Sequence, residues 1–200
     1  MASSIQPTSI PRTSIPPTAI TWVQRLGVFL LRVVMAIFKL SLRFRSTPPA
    51  PGPVTTHRYG EHPDQTLQFI PRKPGSVERA PVVYIHGGGW IAGKKELYTG
   101  DLFFLAEQGH PVFNIEYPLA PENPHPAILR SLLLALGWVR ENHPEFESAH
   151  FMGDSAGGNL AMMLGVLSRN PELIRDVDAS ALPRTALSCQ SVVSLYGVLD

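Results

Sequence analysis

The sequence is short of several features that would settle its function early. It holds one cysteine, Cys189, so no disulfide can close within a single chain, and the thiol reads as a small buried side chain. Lys and Arg total 17 against 16 Asp and Glu, a net charge of +1, which offers no basic face for nucleic acid. No group of histidines, cysteines and carboxylates has metal-ligand spacing, and His57/His62 does not match the helical pattern. Long uncharged apolar runs are missing too: Leu26–Leu31 and Val33–Phe38 are each too short to cross a bilayer alone. What remains is a chain of 200 residues, enough for one domain with a sizeable core.

The most informative stretch is His150-Phe-Met-Gly-Asp-Ser-Ala-Gly-Gly-Asn-Leu-Ala-Met-Met163. A short strand pattern runs into Gly153-Asp154-Ser155-Ala156-Gly157, and a helical pattern follows, the strand–turn–helix signature of a nucleophile elbow. A serine on so sharp a turn needs small neighbours, so that strand and helix can approach closely. The following helix would aim its first N–H groups at a site of developing negative charge. Alone, the pentapeptide could equally be a Gly/Ser turn without chemistry. A second motif stands roughly seventy residues upstream, in Pro81-Val-Val-Tyr-Ile-His-Gly-Gly-Gly-Trp90. Val82–Ile85 reads as a buried strand, and His86-Gly87-Gly88-Gly89 falls at its C-terminal end, where open α/β sheets place their sites. Successive glycines let backbone N–H groups face a ligand unobstructed.

Together the two motifs resemble the α/β-hydrolase superfamily, on the hormone-sensitive-lipase-like side that includes carboxylesterases and arylacetamide deacetylases. Tyr117-x-Leu119-Ala120-Pro121-Glu122 with Pro126-Ala127 adds to the likeness, which covers about half the chain, from near Pro81 to Leu160. The resemblance implies an α/β fold with a mostly parallel, doubly wound sheet. It implies Ser155 as nucleophile, with Gly88, Gly89 and Ala156 as oxyanion N–H donors. His86 and Gly87 would support that loop, and Gly153, Asp154 and Gly157 would form the elbow. The reaction implied is hydrolysis of a small ester substrate through an acyl-enzyme, with no metal or organic cofactor. Trp90, Pro118 and Ser131 depart from the subfamily's usual residues and leave subfamily and substrate open.

Residues 1–20, rich in Ser, Thr and Pro, are expected to be disordered. Residues 21–45 read as a helix whose Arg25, Arg32, Lys39 and Arg43 fall within about 40° of one another, with apolar residues elsewhere. Over 22–44 this suits a membrane surface or membrane anchoring, hence a membrane-associated location, and otherwise a cytoplasmic one. A spanning helix, with Arg32 at mid-bilayer, and a cap helix packed on the hydrolase body are the alternatives. Residues 46–53 form a proline-rich linker, and 54–200 the hydrolase domain. Within it we expect paired opening strands at Val54–Tyr59 and Leu67–Pro71 and a helix over Leu97–Gln108. A strand Val112–Tyr117 and a helix Ala127–Asn142 follow, then the strand Ser148–Met152, the helix Ser155–Arg169 and a strand Ser191–Tyr196. By resemblance the Pro118–Pro126 loop packs beneath the site, and Glu122 orients neighbouring loops.

No histidine follows Ser155. A serine nucleophile needs a base within reach and a carboxylate to orient it, in the superfamily's order Ser, Asp or Glu, His. Glu172, Asp176, Asp178 and Asp200 are the downstream acids, none in the family's position. The expectation is a hydrolase domain lacking its last strands, acid and histidine, nearly inactive as it stands. A non-catalytic, hydrolase-like binder of a small ligand is the alternative function, and a membrane-tethering module built on 22–44 is another.

Overall fold

The computed structural model describes residues 21–42, 48–170, 172–173 and 187–199. The expected disorder of 1–20, Arg43, and the acids Asp176, Asp178 and Asp200 lie outside the described residues. In chain order the elements are α1 (Trp22–Leu42), β1 (Thr55–Arg58), β2 (Thr66–Ile70) and β3 (Val82–Ile85). A 3₁₀ turn (Lys95–Leu97), α2 (Phe103–Glu107), β4 (Val112–Ile115), α3 (Ala127–Asn142), β5 (Ser148–Asp154), α4 (Ala156–Arg169) and β6 (Ser188–Leu195) follow.

One six-stranded sheet runs in the order β1-β2-β4-β3-β5-β6. β1 and β2 pair antiparallel, as do β2 and β4, whereas β4, β3, β5 and β6 are mutually parallel. The pattern follows from composition. β3 and β4 are four-residue runs buried at every position, as strands covered on both faces must be, and β1 is mostly exposed at the edge. One face packs Val83, Ile85, Phe113, Ile115 and Phe151 against Leu129, Leu132 and Leu136 of α3 and Leu160 and Leu164 of α4. The opposite face packs Ile70, Val82, Tyr84 and Val112 against Leu102, Phe103 and Ala106. This is the expected α/β class, with its central strands parallel and its opening strands paired.

The Leu97–Gln108 helix needs correction. It is split into the 3₁₀ turn and the five-residue α2. The Lys95 carbonyl, just ahead of the expected start, accepts from Tyr98 N in the 3₁₀ manner and from the Asn114 side chain at 2.8 Å. Gly100 then lies in the turn between the two pieces. β5 runs two residues further than its pattern indicated, β6 starts three residues earlier, and Ser155 is the cap of α4 instead of its first residue.

Helix α1 turns Arg32 toward the hydrolase body. Arg32 donates to the carbonyls of Ile91 (3.0 Å) and Ala120 (3.2 Å) and pairs with both oxygens of Glu122, at 3.2 and 2.9 Å. Trp22, Val23, Leu26, Phe29, Leu30, Val33, Val34, Ile37 and Leu40 are all exposed. At 100° per residue those nine fall within an arc of about 140°, and Leu31, also exposed, lies about 60° beyond it. Among the described residues no helix is long and apolar enough to cross a membrane, which removes support from the spanning alternative.

Candidate functional site

β3 and β5 are parallel neighbours, and their register sets Ile85 beside Gly153. Each strand therefore delivers its glycine motif to the same end of the sheet. At the end of β5 the chain turns through Ser155, whose φ of 48° and ψ of −119° lie in a region that non-glycine residues enter only under constraint. Two hydrogen bonds supply the constraint: Ser155 N donates to Leu195 O at 2.9 Å, and Asn159 N donates to Ser155 O at 3.1 Å. Ser155 is half-buried, with its neighbours Asp154 and Ala156 buried. Gly157 is required by proximity, since a Cβ there would stand 2.1 Å from Ile85 O and 2.6 Å from His86 O. The two corners are in contact at that point.

Asp154 ties them together. Its Oδ1 accepts from Gly87 N at 2.7 Å and from the Tyr84 hydroxyl at 2.9 Å, and its Oδ2 accepts from the Tyr98 hydroxyl at 3.0 Å. Burial and then the Asp154 charge push both phenols well above their ordinary pKa, so they remain donors throughout the working pH range. The Gly87 amide is thus fully engaged. Gly88, at φ 124°, starts a tight turn in which its carbonyl accepts from Ile91 N and Ala92 N; a Cβ there would meet Ala92 O at 2.1 Å. Among the described residues the N–H groups of Gly88, Gly89 and Ala156 donate to no protein acceptor. These three N–H groups stand on two corners that are in contact, and they are the candidates for receiving an anionic oxygen.

Behind the loop lies a buried polar cluster. His86 is fully buried, stacked on Tyr117 at 4.4 Å, with Nδ1 2.8 Å from Gly87 O and its own carbonyl accepting from Tyr117 at 2.8 Å. Its Nε2 stands 3.4 Å from Glu116 Oε1, misaligned for a hydrogen bond. Lys94 Nζ lies 3.3 Å from the same oxygen and 2.8 Å from Asp64 Oδ1. Burial pushes the Glu116 carboxyl up, but His86, the Lys95 amide and Lys94 together outweigh it and hold it below its ordinary value. Burial likewise works against the Lys94 ammonium, and Asp64 and Glu116 more than offset it.

The two corners meet at Gly87 with Asp154 and at His86 with Gly157; Gly153, Ser155 and Ala156 belong to the elbow, and Gly88 and Gly89 continue the glycine loop. None of the seven histidines hydrogen-bonds to Ser155. Glu122 is exposed and holds α1 through Arg32, in place of the loop-orienting role expected of it. The Pro118–Pro126 segment abuts the glycine loop, with Ala120 N donating to Trp90 O at 2.9 Å. Sequence reasoning missed the Tyr84–Asp154–Tyr98 clamp and the Glu116–Lys94–Asp64 cluster. A carboxylate directly before Ser155, and another directly before Tyr117 at the end of a largely apolar strand, were the available signals.

A parallel sheet whose neighbouring strands end in a strained serine turn and a glycine corner defines a class. Residues 82–196 match the family described by the alpha/beta hydrolase fold, and the chain belongs to that family. Among curated relatives, mouse hormone-sensitive lipase is 38% identical over 140 residues, covering 61% of this chain and 18% of the relative. Carboxylesterase NlhH of Mycobacterium tuberculosis is 37% identical over 94 residues, 44% of this chain and 30% of the relative. The chain therefore spans less than a third of the length of either. Of solved structures, esterase B from Lactobacillus rhamnosis, inhibited by a tributyrin phosphonate, superposes with a TM-score of 0.74 at 24% identity. That superposition covers 86% of this chain and 58% of the esterase, and shows likeness of fold. The hyperthermophilic esterase of Pyrobaculum calidifontis gives 0.61 at 27% identity, over 72% and 48% of the two chains.

Proposed function

We propose that this chain carries the nucleophile and the oxyanion hole of a carboxylesterase- or lipase-like serine hydrolase. Ser155 Oγ attacks an ester carbonyl, and the N–H groups of Gly88, Gly89 and Ala156 receive the oxyanion. Collapse of the tetrahedral species releases the alcohol, and water then frees the acyl group. The observation that carries this reading is Ser155 in its strained turn, with the glycine corner in contact with its elbow at Gly87 and Gly157. Hydrolase and esterase relatives support the same chemistry. No residue from 156 to 200 is a histidine, and no histidine before Ser155 reaches it. In the 200-residue chain the hydroxyl thus has no imidazole to take its proton, and turnover is expected to stay near the residual ~10³–10⁴-fold over water left by binding and an oxyanion hole.

The test is chemical rescue. p-Nitrophenyl acetate hydrolysis is measured with and without added imidazole, for the wild-type chain and for Ser155→Ala. Hydrolysis that rises with imidazole beyond the buffer rate, and only when Ser155 is present, is the expected result. Identical rates in the two proteins at every imidazole concentration would defeat the hydrolase reading. They would favour the non-catalytic binder, which the absence of a base beside Ser155 recommends. For α1 we propose contact with a membrane surface, supported by its outward apolar arc and its lack of acidic residues. Co-sedimentation of the chain with anionic vesicles, abolished by Phe29→Glu and Ile37→Glu together, is the expected outcome, and no sedimentation would remove the idea.

A further inference from the structure

The glycine corner is part of a longer loop, His86 to Lys95, and both ends of that loop converge on one carboxylate. Glu116 Oε2 accepts from the backbone N–H of Lys95 at 2.9 Å, the far end. Oε1 stands 3.4 Å from His86 Nε2, the near end, and 3.3 Å from Lys94 Nζ. The side chain lies at the end of β4 with 2% of its surface exposed, so water cannot stand in for any of these partners. Buried carboxylates are costly, and this one has no place in the acyl-transfer chemistry proposed above.

It meets the loop at two places, the Lys95 N–H that it accepts and the His86 ring that it packs against. The Gly87 carbonyl can only accept, so the Nδ1 at 2.8 Å from it is the protonated nitrogen. Nε2 makes no hydrogen bond with the Glu116 carboxylate 3.4 Å away, so the ring is held by the Gly87 carbonyl and the stacked Tyr117, with Glu116 packed against its Nε2 edge. A trans peptide is planar, so the C=O of Gly87 and the N–H of Gly88 point in opposite directions. Fixing the carbonyl onto His86 therefore fixes the direction of the Gly88 N–H. Glycine at both positions would otherwise let that peptide rotate freely. The Gly93 backbone closes the space behind it: a Cβ there would stand 2.4 Å from Gly87 O and 2.6 Å from His86 Nδ1.

We infer that Glu116 is a positioning residue, which by anchoring the Lys95 end of the loop, and with it the Gly93 backbone behind the Gly87 carbonyl, sets the orientation of the Gly87–Gly88 peptide and so aims the Gly88 N–H at the side where Ser155 lies. The inference deepens the hydrolase reading, because that N–H is useful only if an oxyanion forms there. Glu116 pins the loop from behind, and Asp154, through Gly87 N, pins it from the elbow side. Together they fix both peptides that flank Gly87.

The experiment reads the peptide directly, without catalysis. The 200-residue chain is labelled with ¹³C,¹⁵N-glycine, and spectra are compared for wild type, Glu116→Gln, Glu116→Asp and Lys94→Met. In Glu116→Gln the Gly87 carbonyl carbon and the Gly88 amide are expected to shift and broaden or double, while Gly165 in α4 stays in place. Glu116→Asp keeps the charge but is too short to reach both ends of the loop; it should shift the same two signals and serves if the glutamine variant unfolds. Lys94→Met, which leaves the carboxylate and its loop contacts, should leave both signals where they are. Folded Glu116 variants with unchanged Gly87 and Gly88 signals would overturn the inference, as would an equal displacement by Lys94→Met. If Gly88 responds as described but Ser155 shows no rescue by imidazole, the positioning role stands and the hydrolase reading falls. Rescue at Ser155 with an unresponsive Gly88 is the reverse case.

Discussion

Two regions of this molecule are held by ionic contacts, and they are held very differently. At the glycine corners, Asp154 and Glu116 are buried carboxylates with several donors each, so every contact resists competition from water. At α1, the Arg32–Glu122 pair has side chains 41% and 60% exposed, and Arg32 otherwise meets only backbone carbonyls. Similar chemistry at different depth gives positional precision in one region and a weak, salt-sensitive attachment in the other.

The strongest test of that contrast is Gly157→Ala. The new methyl must displace two backbone carbonyls, so a loss of about 3 kcal/mol in urea unfolding is expected. Asp154→Ala leaves the buried Gly87 N–H and Tyr84 hydroxyl without an acceptor. It should cost about 2 kcal/mol, against about 1 kcal/mol for Tyr98→Phe, which removes a single donor. A mutant cycle between Asp154 and Tyr98 that showed no coupling would break the description of the clamp.

Acid sharpens the comparison further. Glu116 and Glu122 both sit below the ordinary 4.5 in the folded chain, so each stabilises the fold above that value. Their contributions disappear as pH falls through the lowered folded pKa, because protonation then favours the unfolded chain. The part due to Glu116 should persist in high salt and vanish in Glu116→Gln, whereas the part due to Glu122 should be screened away. Salt-independent acid curves in Glu122→Gln, with wild type salt-dependent, would be the matching signature. The smallest effect expected is global: Arg32→Ala should change overall stability by about 0.5 kcal/mol. Locally it should be plain, with faster amide exchange across 22–42 and no change in β3 or β5. Uniform exchange in both regions would erase the distinction.

Much of this was legible in the residues. Ile128, Leu132, Leu136 and Val139 gave α3 its bounds because their spacing is helical and the faces they meet are apolar strands. The two corners were legible because close backbone approach leaves glycine as the only side chain that fits, and glycine is visible in a sequence. Depth was not legible. Nothing local reveals that Tyr98 reaches back to Asp154, or that the Asn114 side chain reaches the Lys95 carbonyl. The basic stripe of α1 was readable as a stripe, but the inward direction of Arg32 depends on Glu122, ninety positions away. Pair contacts between distant elements are set by the assembled sheet, and a periodicity argument carries no information about them.

The clamp at Asp154 has a consequence for anyone moving this serine turn into another protein. A pentapeptide graft would bring the carboxylate without the Tyr84 and Tyr98 hydroxyls and the Gly87 amide that saturate it, leaving a buried acid facing apolar strands. The transferable unit is four positions drawn from two adjacent parallel strands, a neighbouring loop and the residue that closes a short 3₁₀ turn, and its minimum host is a sheet that already provides all of them.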